Sequence, residues 1–60
     1  MIEFYIFDLK KLHNVGPIFS VGLNEKFKTR EEAMTAATDW IKQASNAADL
    51  QIRSSYVGFL

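Results

Sequence analysis

Between Thr29 and Ala48 apolar residues recur with the period of an α-helix, and this run constrains the fold more than any other part of the chain. At 100° per residue, Ala33, Ala36, Ala37, Trp40, Ala44, Ala47 and Ala48 fall on one side, with Met34 and Ile41 at its margin. Glu31, Glu32, Thr35, Thr38, Asp39, Lys42, Gln43, Ser45 and Asn46 fall on the other. A helix with one dry side requires a surface to dry it against, so the rest of the chain has to supply one. The start is marked by Thr29-Arg30-Glu31-Glu32, a capping box in which the Thr29 hydroxyl and the Glu32 carboxylate each satisfy a free backbone N–H. Two acids in the first turn also suit the helix dipole. The pattern predicts an end near Asn46 to Ala48.

Sixty residues make a single domain, 1–60. Such a chain buries only about 60% of its unfolded surface, and with no cysteine and one histidine it has neither disulfides nor a thiolate metal site to help. Good local structure and self-association are the remaining aids. A hydrophobic content of 48% argues against disorder. Seven basic and seven acidic residues cancel, leaving no global field to draw the chain onto nucleic acid or an anionic membrane. No basic leader or membrane-length apolar run is visible; the expected setting is the cytoplasm, with no membrane partner, and the expected product is a complete small protein.

Residues 2–9, Ile-Glu-Phe-Tyr-Ile-Phe-Asp-Leu, read as a strand. Ile2, Phe4 and Ile6 share one face, and Glu3, Tyr5, Phe7 and Leu9 the other; both faces are largely apolar, as in a central strand. Residues 10–17 read as a polar connection, and 18–23 as a second strand with Phe19, Val21 and Leu23 on one face. Pro17 at its start suits an edge, and Gly22 marks a weak point or bulge. Phe27 is expected to anchor the following turn to the core. Residues 50–59 read as a third strand whose parity switches between Leu50, Ile52, Tyr56 and Val57, Phe59, which predicts a bulge near Ser54 and Ser55.

The resulting expectation is an α+β fold, β-β-α-β, with a three-stranded antiparallel sheet of order 2-1-3 and one helix on one face. Trp40 is its expected core anchor. One helix covers one face, so the other is left with Tyr5, Phe7 and Leu9, the set whose Glu3 and tyrosine hydroxyl best tolerate water. An exposed apolar patch on a small protein marks an interface. Tyr5, Phe7 and Leu9, with Tyr56 as a neighbour, are therefore the expected partner-binding residues, for a protein partner or for a second copy in a homodimer packed through this face.

Residues that carry chemistry are few. His13 falls in an expected loop without a carboxylate partner, so no nucleophile–base pair can be assembled. Glu31 and Glu32 are accounted for by capping, and Gly16, Gly22 and Gly58 lack phosphate-loop spacing. The expectation is a non-enzyme with no catalytic residues, no metal ligands and no cofactor. Lys10 and Lys11 in the hairpin connection, and Lys26, Lys28 and Arg30 around the helix start, are the candidates for nucleic-acid contact, expected at opposite ends of the sheet.

Two short stretches resemble known families. Phe4-Tyr5-Ile6-Phe7-Asp8-Leu9 looks like the first-strand motif of RNA-recognition-motif domains, which implies an aromatic on an open sheet stacking a base. Phe27-Lys28-Thr29-Arg30-Glu31-Glu32-Ala33, followed by Ala37 and Trp40, is similar to the strand-to-helix passage of HicB-like antitoxin domains, which implies a binder of a small toxin protein. From the residues themselves the expectation is a small non-enzymatic protein-interaction module, an inhibitor or accessory protein of the kind short phage or mobile-element genes encode. A small nucleic-acid-binding protein and an antitoxin-type binder stand as alternatives.

Overall fold

A computed structural model describes residues 1–56. Three strands and one helix follow in the order β1 (Ile2–Asp8), β2 (His13–Val21), α1 (Arg30–Lys42) and β3 (Leu50–Tyr56), with a 3-10 turn at Ala47–Asp49 leading into β3. The sheet has the order β2-β1-β3 and both pairings are antiparallel. This is the expected α+β architecture.

β1 is central because it can bury side chains on alternate positions and still pair on both edges. Its Phe4 and Ile6 lie against α1 and are buried with Phe19 and Val21 of β2 and Ala33 and Ala37 of the helix. Alanine at 33 and 37 removes the bulk that would hold the helix off the sheet. Phe27 closes the core as expected: its ring centroid lies 6.0 Å from that of Phe19, and its backbone bridges Val21 in parallel. The capping box is present in full, with the Glu32 N–H donating to the Thr29 hydroxyl at 3.2 Å and the Thr29 N–H donating to the Glu32 carboxylate at 3.0 Å.

Four boundaries differ from those read in the sequence, the smallest being the end of β1 at Asp8 rather than Leu9. The helix stops at Lys42 rather than near Asn46 to Ala48. Thirteen residues rise about 20 Å, close to the roughly 23 Å of a seven-residue strand; six more would overshoot the sheet. The apolar period continues through Ala44 and Ala47, but Ser45 and Asn46 bend readily, and Asn46 donates instead to the Asp8 carboxylate at 3.1 Å.

β2 begins at His13, not Ile18, and ends at Val21. Its polar first residues are acceptable because it is an edge strand, as Pro17 suggested. Gly16 and Pro17 lie inside the strand as an irregularity: Phe4 pairs with Phe19 but Ile6 with Val15, so three β2 residues stand opposite Tyr5. The bulge is thus at Gly16, not Gly22. Gly16 has φ 73°, and a Cβ there would come within 2.7 Å of the Trp40 ring. Half-buried Trp40 is therefore an anchor of a specific kind, seated on the one residue that leaves room for it.

β3 pairs with β1 without a break from Leu50–Asp8 to Tyr56–Ile2. The bulge expected at Ser54 and Ser55 is absent, and Val57 and Phe59, whose parity suggested it, lie outside the described residues.

Gly16→Ala is expected to cost about 2–4 kcal/mol, adding the left-handed backbone penalty to overpacking against Trp40. Gly22→Ala, where a Cβ would meet only the flexible Glu25 and Met1 side chains, should stay within about 1 kcal/mol. Urea unfolding of both variants checks the contrast. By the same measurement Thr29→Ala should lose about 1 kcal/mol with its cap.

Candidate functional site

Cross-strand partners share a sheet face, so the register sorts the side chains. Ile2, Phe4, Ile6 and Asp8 face α1 together with Val21, Phe19, Val15 and the β3 residues Tyr56, Ser54, Ile52 and Leu50. Glu3, Tyr5 and Phe7 face the other way, beside Ser20, Asn14, Ser55, Arg53 and Gln51. Alternation along β2 adds Ile18, the neighbour of buried Phe19. No helix of the described residues covers this side. Among the described residues the sheet therefore has an uncovered face, and it is the expected one.

Its centre is apolar and its flanks carry one charge of each sign. Tyr5 and Phe7 are half-buried by their neighbours, while Ile18 is 59% exposed. The Arg53 guanidinium lies over the Phe7 ring, 4.0 Å from its centroid, and its Nε donates to the Gln51 side-chain oxygen at 3.0 Å. A cation stacked on an aromatic face is held in place while its remaining N–H groups stay free to meet an acceptor. Glu3 supplies a carboxylate on the same face.

The structure brings Tyr5 and Phe7 together but sets Leu9 and Tyr56 apart from them. Leu9 lies past the end of β1 in the hairpin turn, its N–H donating to the Asp49 carbonyl at 2.8 Å. Tyr56 stands opposite Ile2 and so belongs to the helix side, at the sheet's far end. Its parity with Leu50 and Ile52 already carried that information. Ile18 is not among the expected surface residues, although its alternation with Phe19 already sets it opposite the buried face.

The five basic candidates form no single surface. Lys10 and Lys11 lie at the hairpin tip beside Asp8, whereas Lys26, Lys28 and Arg30 follow the opposite end of β2, about 23 Å away along the strands. Lys28 is engaged locally, its ammonium donating to the carbonyls of Leu23 and Glu25 at 2.8 and 2.9 Å. Lys26 lies over the Phe27 ring at 5.6 Å.

Asp8 is the one buried charged residue among those described, and it organises the hairpin tip. Its Oδ1 accepts from the backbone N–H groups of Lys10 and Lys11, both at 2.9 Å, and its Oδ2 from Asn46. These donors, the Lys11 N–H foremost, hold its carboxyl below the ordinary value of 3.8. The Asp8 carbonyl accepts from Leu12, which has φ 60°. Glu32 is held below its ordinary 4.5 by the N–H groups of Lys28 and then Thr29.

Open depressions of about 460 Å³ beside Glu31, Glu32 and Thr35, and about 290 Å³ beside Trp40, Gln43 and Ala44, lie on the helix. Among the described residues no group of three His, Asp or Glu side chains is placed to hold a metal ion, and no helix is long and apolar enough to cross a membrane. No protein-family model, curated protein or solved structure matches the chain.

Because both carboxylates are depressed on folding, their contribution is complete above 3.8 for Asp8 and 4.5 for Glu32, and is lost as pH falls below those values. Urea titrations from about pH 6 down to about pH 3 should show falling stability. The decline should be shallower in Asp8→Asn combined with Glu32→Gln. An identical acid slope in that variant and the wild type would contradict the assignment.

Proposed function

We propose that the chain is a small non-enzymatic protein-interaction module that docks a partner on the uncovered face around Tyr5, Phe7 and Ile18. The observation that carries this reading is the sidedness of the sheet: one helix dries Phe4 and Ile6, and the opposite face carries two half-buried aromatics and an exposed isoleucine. Apolar residues ringed by polar ones have the composition of an interface centre. The partner that fits presents a flat apolar surface with a carboxylate for Arg53 and a basic group for Glu3. Binding without turnover is the work of an inhibitor or accessory protein, and an antitoxin-type binder is one form of it.

Nucleic-acid binding has less support. Aromatics on an open sheet suit base stacking, but this face carries one cation and one anion, the lysines stand at opposite ends, and the Lys28 ammonium is occupied. A basic groove tracking a backbone needs those charges on one path.

Tyr5→Ser combined with Phe7→Ser should leave the far-ultraviolet helix signal intact. The same variant should weaken the reconstituted complex with any purified partner at least about tenfold, since two residues near an interface centre are removed. Glu31→Ala combined with Asp39→Ala, on the polar helix face, should leave that affinity unchanged. Retention of binding by the first variant, or its loss in the second, would overturn the proposal.

A further inference from the structure

The two edges of the sheet are not alike. Along β2 the ladder is interrupted by Gly16 in the left-handed region and by Pro17, which donates no hydrogen bond. Both are devices that resist the addition of another strand. β3 has neither. Its seven residues keep an unbroken register with β1 and contain no proline, glycine or lysine. The helix lies chiefly over β1 and β2, so on its side of β3 Leu50 and Ile52 are only partly buried against the core and Tyr56 is 72% exposed.

We propose that β3 pairs antiparallel with β3 of a second copy of this chain, joining two sheets into one of six strands. Charge excludes one register. A two-fold axis through Arg53 would set two guanidinium groups directly opposite, which is unfavourable. An axis through Ile52 sets that residue against the partner's Ile52 on the helix side and Gln51 against the partner's Arg53 on the other, twice by symmetry. The Gln51 side-chain oxygen already accepts from Arg53 within the chain at 3.0 Å, so the two groups are chemically matched across the seam.

The pairing stands on β3 itself; its consequence for docking rests on the reading above. One uncovered face measures about 14 by 23 Å, or roughly 330 Å² in projection. Joined edge to edge, two copies offer twice that, approaching the roughly 800 Å² each partner contributes to a standard interface.

The test is sedimentation velocity of the full chain from about 10 μM to about 0.5 mM, a range that reports dissociation constants weaker than micromolar. The wild type should move toward twice its 6.9 kDa mass. Gln51→Lys, which places a cation opposite the partner's Arg53, should weaken association roughly tenfold, and Gln51→Glu should tighten it. Gln51 is exposed, so neither change threatens folding. A monomer at every concentration overturns the edge pairing, as does a dimer insensitive to both changes. A dimer lost in Tyr5→Ser with Phe7→Ser but kept in Gln51→Lys is face-to-face and also overturns it. A monomeric wild type whose partner binding still depends on Tyr5 and Phe7 rejects the edge pairing alone and leaves the docking face standing.

Discussion

The close approach of α1 to the sheet governs the rest of the molecule. Ala33 and Ala37 are fully buried against Phe4, Ile6, Phe19 and Val21, and two alanines at one helical turn's spacing let the backbone come near enough to exclude water. The contact works only on one side. Thirteen helical residues match the length of seven strand residues, so the helix is spent on the Phe4 and Ile6 face. Everything functional proposed for this chain follows from what that leaves over: a second face with its own aromatics, and a β3 column only partly covered.

Two local devices hold that approach in place. Trp40 seats on Gly16, where any Cβ would intrude, so the same bulge that roughens the β2 edge also receives the helix's largest side chain. At the C-terminal end of β1, buried Asp8 gathers the hairpin turn through Lys10 and Lys11 and the helix exit through Asn46. The neighbouring Leu9 N–H reaches the Asp49 carbonyl just before β3 begins. A buried carboxylate is tolerable because every one of these groups donates to it or beside it, and no buried side-chain polar atom among the described residues lacks a partner.

The sheet order, the helix start and the division of β1 into a covered and an uncovered face were legible in the sequence, because each rests on local period or local capping. Ile2, Phe4 and Ile6 alternate with Glu3, Tyr5 and Phe7 whatever surrounds them, and Thr29 with Glu32 closes a cap four residues long. What escaped depends on distance in space. Nothing in the alanine period through Ala47 and Ala48 reveals that Asn46 will meet Asp8, 38 residues away, and end the helix early. Gly16 and Pro17 announced a break, but not that His13, Asn14 and Val15 would pair before it. On the surface, alternation makes Tyr5 and Phe7 readable, and Ile18 too as the neighbour of Phe19; the parity of Tyr56 with Leu50 and Ile52 points to the helix face rather than the open one.

Among the described residues, one sheet face is dry and the other meets solvent. Solvent paramagnetic relaxation enhancement from a soluble, uncharged gadolinium chelate, read at side-chain protons by NMR, tests it directly. Tyr5 and Ile18 should be strongly broadened while Phe4 and Ile6 are spared. Equal protection of all four would contradict the account, as would broadening of Phe4 and Ile6 with Tyr5 and Ile18 spared.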